Sequence, residues 1–130
     1  MRVRVVLAGI HHVKMPVTDL DRSRHWYGRV LGFKVTHEFQ DADGVVRGVA
    51  GEVPGLGDSM LCLRVNSQAA QGCQSFDPVS FAVRDRADIE ASIGWLLVFN
   101  DPDGLDLHLY SWAAHGVDHG GVAGYGRPVS

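Results

Sequence analysis

The stretch FNDPDGLDLHLYS, from Phe99 to Ser111, decides the fold that we predict for this chain. It begins as the end of a strand, and DPDG at 101–104 is typical of a turn, because proline presets one φ angle and glycine accepts a positive one. Apolar and polar residues then alternate, which indicates a second strand with one buried face. The leucines share the core face, and three residues share the other: Asp106, His108 and Tyr110. A histidine between a carboxylate and a phenol makes that second face a candidate site.

Composition and charge narrow the class of protein. The chain has 130 residues, of which 45% are hydrophobic and 21% charged, as expected for one globular domain. The net charge of −3 favours neither nucleic acid nor an anionic membrane as a partner. The apolar run 5–10 is too short to span a membrane and has no signal-peptide pattern after it. Two cysteines, Cys62 and Cys73, form no disulfide framework, so we expect a cytoplasmic protein.

The first half of the chain predicts the order βαβββ. Residues 10–17 alternate as a strand, and Pro16 indicates that the end of this strand lies at a sheet edge or at a break in pairing, because proline donates no ladder hydrogen bond. Thr18 or Asp19 is predicted to cap a helix that ends at Gly32. Three further strands are predicted at the end of this half, at 33–39, 45–52 and 59–65.

The second half repeats the first. Val79, Phe81 and Val83 stand 66 positions after three apolar residues of the first strand, and Leu107-His108-Leu109 follows Leu61-Cys62-Leu63 by 46. The second module is therefore about 20 residues shorter, with room for a helix at 86–93 and a strand at 95–99 but for one strand fewer. Either that strand is absent from the protein, or a segment around 92–95 is missing from the sequence.

These patterns predict an α+β fold in a single domain at 1–130. Module one is predicted at about 8–66, a polar linker at 67–76 and module two at about 77–112. The glycine-rich tail 113–130 has no periodicity, and we expect it to be extended or mobile.

Two motifs are similar to those of the vicinal oxygen chelate superfamily, which contains glyoxalase I, bleomycin-resistance proteins and extradiol dioxygenases. HHVKMPVTDLDRSRHWYGRVLGFKV at 11–35 resembles the opening motif of the superfamily, and FNDPDGLDLHLYS resembles its closing motif. The resemblance implies paired βαβββ modules whose sheets form one cup-shaped mixed sheet, with the helices outside.

The resemblance also implies a divalent metal, Zn, Ni, Mn or Fe, on the concave face of that sheet. His12 and His108 match two of the family's four ligand positions. Cys62 stands where the family usually has Glu or another ligand, and Pro78 stands where it often has His and cannot ligate. Strand alternation independently places His12, Cys62 and His108 on non-core faces, and two imidazoles with a thiolate are a plausible open metal set.

The remaining candidate residues surround this predicted metal set. Three residues are predicted to bind the substrate, Tyr110, Arg64 and Asp106, and Asp106 is also a candidate general base. Each of these residues could instead have a purely structural role. Arg64, for example, could extend its charged end to solvent. Strand alternation predicts that His11 faces away from His12.

The predicted function is that of a divalent-metal-dependent enzyme acting on a small molecule, of the lyase, isomerase or dioxygenase type. The alternative is a metal-free binding protein that sequesters an antibiotic or a metabolite in the same cup. A third possibility is that the shortened module needs a partner chain: a homodimer could complete the cup by pairing modules across subunits, and an open sheet edge would otherwise be a liability. No nucleic-acid or membrane partner is predicted.

Overall fold

The described strands follow one another in the predicted order, with one additional helix between the two modules. The computed structural model describes residues 3–84 and 96–111, with only the backbone described at 96–98, 110 and 111. The elements in chain order are β1 (His12–Val17), α1 (Leu20–Leu31), β2 (Lys34–Gln40), β3 (Val46–Glu52), β4 (Met60–Val65), α2 (Ser67–Gly72), β5 (Ser80–Val83), β6 (Leu96–Asn100) and β7 (Asp106–Ser111). The α+β class is confirmed.

The chain divides into two compact units. The first contains the chain up to Phe76 together with the turn at 100–106, and the second contains β5, most of β6 and most of β7. No helix among the described residues is both long enough and apolar enough to cross a membrane.

The first unit is built on a four-stranded sheet in the order β1-β4-β3-β2. β1 runs parallel to β4, and β3 is antiparallel to both β4 and β2. β1 is an edge strand, which is one of the two arrangements that Pro16 predicts. The alternate apolar residues of the strands form one buried face, together with Tyr27 of α1, and the largest of them are Met15, Val17, Val49, Leu61 and Leu63.

Capping residues set the limits of α1. The Asp19 carboxylate accepts a hydrogen bond from the Arg22 amide at 3.0 Å, which satisfies one of the free donors at the helix N-terminus. Gly32 ends the helix in the left-handed region at φ 73°, where its amide bonds to the carbonyl of Gly28. The sequence predicted both ends correctly.

The DPDG turn is attached to α1 through a buried carboxylate. Asp101 is only 5% exposed, and its carboxylate accepts a hydrogen bond from the Tyr27 hydroxyl at 2.8 Å. The same carboxylate accepts from the amides of Asp103 and Leu105 within the turn. Burial, and next the charge of Asp101, raise the pKa of Tyr27 far above its usual range, so the phenol remains a donor.

A second carboxylate of the turn contacts the start of the helix. Asp103 accepts hydrogen bonds from the Thr18 hydroxyl at 2.6 Å and the Thr18 amide at 3.1 Å. It also pairs with Arg22 at 3.1 Å. The two aspartates of the turn therefore have structural roles, since every hydrogen bond described for them joins the turn to itself or to the first helix and its N-terminal flank.

The second unit contains a three-stranded sheet in the order β5-β7-β6. β5 runs parallel to β7 with Phe81 opposite Leu109, just as Met15 lies opposite Leu63 in the first unit. This register agrees with the internal repeat, and the described part of the second module has one strand fewer than the first, as predicted. The predicted helix at 86–93 and the tail lie outside the described residues.

The predicted linker contains a helix that the sequence analysis missed. Asn66 caps α2 by accepting a hydrogen bond from the Ala69 amide at 2.9 Å. Of the six helical residues only Ala70 is buried. A single small apolar residue produces no detectable periodicity, which is why the stretch resembles a polar linker.

Candidate functional site

The face of the four-stranded sheet opposite the core carries the candidate site. In the β1–β4 ladder, His12 lies opposite Met60 and Lys14 lies opposite Cys62. Arg64 follows two residues after Cys62 and therefore points to the same side. On β3 the residues opposite Arg64 and Cys62 are the smallest available, Gly48 and Ala50.

These residues enclose a cleft of about 290 Å³. It is lined by His11, His12, Lys14, Phe39, Gly48, Val49, Ala50, Met60, Cys62, Leu63 and Arg64. The missing side chain of Gly48 contributes directly to the space, because a Cβ there would lie 3.5 Å from Cδ of Arg64 and 3.9 Å from the ring of Phe39. Gly48 therefore sits where an arginine from β4 and an aromatic ring from β2 approach each other.

The charged side chains described in the cleft are cationic. Lys14 and Arg64 line it, and no Asp or Glu of the described ranges 3–84 and 96–111 is among the lining residues. Neither cation forms an ion pair within the described parts of the chain, whereas Arg22, Arg24 and Arg47 each pair with a carboxylate. The cleft thus combines apolar walls with two cations that have no acidic partner there.

Cys62 lies at the centre of this face. It is a free cysteine, 8% exposed. Burial raises the pKa of the Cys62 thiol, and the charge of Lys14 opposes that change only in part. The group is therefore a neutral thiol at physiological pH.

His11 lies against His12, and the prediction that it faces away was wrong. The two Nδ1 atoms are 3.0 Å apart, and the rings meet edge to face with centroids 5.2 Å apart. Because β1 begins at His12, His11 precedes the strand and is not bound by its alternation. Both imidazoles line the cleft.

Sequence reasoning also overlooked other lining residues of the first module, and four of them shape the argument for the cleft: Lys14, Phe39, Gly48 and Ala50. Lys14 alternates with His12 on β1, and that spacing could have identified it. The other three reach the cleft because β2, β3 and β4 pair in a particular register, and that register could not be predicted from the sequence.

His108 belongs to the second unit, where its partner is a residue that the sequence analysis did not select. Its Nδ1 lies 3.5 Å from the Asp77 carboxylate, and its side chain is 17% exposed. Asp106, the candidate base, instead accepts a hydrogen bond from the Asn100 side chain across the β6–β7 turn at 2.5 Å. The side chain of Tyr110 lies outside the described part of the chain. The assignments of Tyr110 and Asp106 to the site stay predictions.

The cleft residues fit a divalent cation poorly. His12 and Cys62 both line the cleft, but Lys14 lies opposite Cys62 in the β1–β4 ladder, and its positive charge, which acts on the Cys62 thiol, would repel a metal ion. A cysteine binds metal as the thiolate, whereas burial favours the neutral form of Cys62. Within the described residues, no group of three or more His, Cys, Asp or Glu side chains is placed to hold a metal.

Comparison with known proteins gives the family. A model of the Glyoxalase/Bleomycin resistance protein/Dioxygenase superfamily matches residues 9–96. No curated protein matches the chain significantly.

Solved structures share the fold. A glyoxylase/bleomycin resistance protein/dioxygenase domain from Frankia sp. EAN1pec is 25% identical, with a TM-score of 0.58 over 82% of this chain and 98% of that one. TnmS3, an antibiotic binding protein from Streptomyces sp. CB03234, is 18% identical, with a TM-score of 0.59 over 83% and 98%. The fosfomycin resistance protein FosX from Listeria monocytogenes, complexed with Mn(II) and a dihydroxypropylphosphonic acid, is 11% identical, with a TM-score of 0.63 over 81% and 93%. Because the family model matches well over half of the sequence, the chain belongs to the glyoxalase/bleomycin resistance protein/dioxygenase superfamily.

Proposed function

We propose that this protein binds a small organic molecule, an antibiotic or a metabolite, in the cleft of its first module and sequesters it without covalent chemistry. The observation that carries the proposal is the mainly apolar cleft of about 290 Å³ with a few polar groups at fixed positions. That volume is at the lower end of the range for small-molecule sites, and apolar walls with few polar groups are typical of them. TnmS3, which has the same fold, is described as an antibiotic binding protein. The shared fold is compatible with ligand binding by this chain, but fold alone does not determine function.

Binding would follow from the geometry of the sheet face. Small residues on β3 leave room above the sheet, so that a ligand can contact Phe39 and Met60 on either side. Burial of the apolar surface of the ligand supplies the affinity, at about 25 cal/mol per Å² removed from water. The polar groups at the cleft then determine which molecules fit.

The thiol of Cys62 reports occupancy of the cleft. In a Cys73→Ser variant, saturation with the neutral fluorophore N-phenyl-1-naphthylamine should slow N-ethylmaleimide labelling of Cys62 about tenfold or more, because the bound molecule covers the sulfur. Mass spectrometry of labelled protein over time measures the rate. In the matched Cys62→Ser variant, labelling of Cys73, which is not among the cleft-lining residues, should not change. An unprotected Cys62 at saturating fluorophore would contradict the proposal.

A blocking substitution provides a second readout of the same prediction. Met60→Trp adds bulk inside the cleft and should abolish the fluorescence increase of the naphthylamine. Val45→Trp adds the same bulk at a residue that is 45% exposed and does not line the cleft, and it should leave binding unchanged.

The metal-dependent enzyme predicted from the sequence is the second candidate. It is supported by the placement of His12 and Cys62 on one cleft and by the fold shared with an Mn(II)-bound FosX. It predicts about one equivalent of Zn, Ni, Mn or Fe in protein purified without chelator, and loss of that metal in His12→Ala and His108→Ala. His25→Ala, which changes an exposed helix residue, is the control. Full metal affinity in both variants would reject this ligand set. The homodimer and the cytoplasmic location stay predictions.

A further inference from the structure

We propose that the ligand of this cleft is an organic acid, with an apolar body and one anionic group that Lys14 and Arg64 hold together. The inference rests on the proposed function and specifies the chemistry of the molecule bound.

The first argument is the position of the two cations. Lys14 lies directly opposite Cys62 across the β1–β4 ladder, and Arg64 lies two residues further along β4 on the same face. Both cationic residues are therefore neighbours of Cys62 in the sheet, and all three line the cleft. An anionic group placed over Cys62 would be within reach of both.

The second argument is the absence of acidic neighbours in the cleft. Among the described residues, no carboxylate lines the cleft and neither cation has an ion-pair partner. Covering an unpaired cation with an apolar ligand removes water from it without compensation, which is costly. A ligand that brings its own negative charge avoids that penalty, and a cationic ligand would be repelled.

The third argument concerns the body of the ligand. Phe39 and the stem of Arg64 approach each other over Gly48, where a Cβ would lie within 4 Å of both. An aromatic or other flat ring in this part of the cleft would find two stacking partners, since both a phenyl ring and a guanidinium stack on π systems. The guanidinium can at the same time bind a carboxylate or a sulfonate with two parallel hydrogen bonds.

Two fluorophores of nearly the same shape test the charge requirement. 8-Anilinonaphthalene-1-sulfonate carries a sulfonate on the arylamine skeleton of the neutral N-phenyl-1-naphthylamine. Wild-type protein should bind the sulfonate roughly tenfold more tightly than the neutral compound, as expected when a charge-assisted hydrogen bond is added. Fluorescence titration at low salt measures both affinities, and raising the ionic strength should reduce the ratio.

Lys14→Met and Arg64→Met remove each charge and keep an apolar stem. Each should reduce the preference for the sulfonate several-fold, and the double variant should bind the two compounds equally. Lys34→Met and Arg47→Met, which change cations that do not line the cleft, should leave the ratio unchanged. Met60→Trp should abolish binding of both compounds and so identifies the cleft as the site.

The outcomes separate the two proposals. If the neutral compound binds as tightly as the sulfonate, or if the ratio survives the double substitution, the organic-acid inference is wrong while the binding cleft stands. If neither compound binds and Cys62 is not protected, the proposed function is wrong and the inference fails with it.

Discussion

Replacing Asp101 by alanine is expected to destabilise the protein by about 3 kcal/mol, because several buried groups lose their partner at once. The carboxylate is 5% exposed and accepts hydrogen bonds from the Tyr27 hydroxyl and from two amides of its own turn. Tyr27 is fully buried, so its hydroxyl would be left without a partner in an apolar environment. The DPDG turn would also lose one of its attachments to α1.

Urea unfolding followed by circular dichroism measures the effect. Tyr27→Phe should lower the free energy of unfolding by less, about 1–2 kcal/mol, because the amides of Asp103 and Leu105 still donate to the Asp101 carboxylate. Asp43→Ala, at an exposed position of the β2–β3 turn, is the control and should change stability by less than about 0.5 kcal/mol. If Asp101→Ala were as mild as the control, the contact between the turn and α1 would contribute nothing to stability.

The same pair predicts a pH dependence above the ordinary pKa of tyrosine. The folded protein holds the pKa of Tyr27 above its unfolded value of 10.0. The stabilisation from a protonated Tyr27 is therefore fully present below pH 10 and decreases as the pH rises above it, because the unfolded chain then releases a proton that the folded chain retains. The stability difference between wild type and Tyr27→Phe should shrink in that range.

Replacing Gly51 by alanine is expected to cost more than about 3 kcal/mol or to prevent folding, although alanine is normally better than glycine inside a strand. A Cβ at Gly51 would overlap the carbonyl oxygen of Lys34 and lie 2.7 Å from its carbonyl carbon and 2.8 Å from Cα of Val35. All three atoms belong to the backbone of β2, so no side-chain rotation relieves the overlap. β2 would have to separate from β3, and it carries Phe39 of the cleft.

Gly72→Ala is the matched control for this substitution. Gly72 ends α2, and a Cβ there would meet nothing within 4 Å. The change should be neutral or stabilising by up to about 1 kcal/mol, since alanine is the better helix residue. The same urea titration compares both variants, and equal stability of Gly51→Ala and wild type would show that the close approach of β2 is not rigid.

Sequence patterns give different amounts of information about the two substituted residues, Asp101 and Gly51. Asp101 belongs to a recognisable turn signature, but the pattern around it points to a candidate active site on the following strand. Its hydrogen bond to Tyr27 joins residues far apart in the chain, and no local pattern predicts such a pair. No pattern in the sequence indicates that Gly51 must be glycine. The distance from its Cα to β2 depends on the bulged register between β2 and β3.

Some residues of the cleft can also be predicted from the sequence, whereas others cannot. Alternation alone places His12, Cys62 and Arg64 on the non-core face, because successive side chains of a strand point to opposite sides. Alternation does not identify Gly48 or Phe39, which reach the cleft only through the pairing of separate strands. It also fails for His11, since the rule applies only inside the strand, and β1 begins one residue later.

Local features of the sequence are enough to predict the α+β class, the helix limits at Asp19 and Gly32 and the internal repeat, and Pro16 limits the end of β1 to a sheet edge or a break in pairing. Each of these depends on side-chain periodicity or on a residue's own backbone preferences, which are local properties. The tertiary structure was needed to show that the DPDG turn is attached to α1, that Lys14 lies opposite Cys62, and that the described residues lining the cleft include two cations and no acidic side chain. These depend on which distant segments pair and in which register, and that is set by packing of the whole unit.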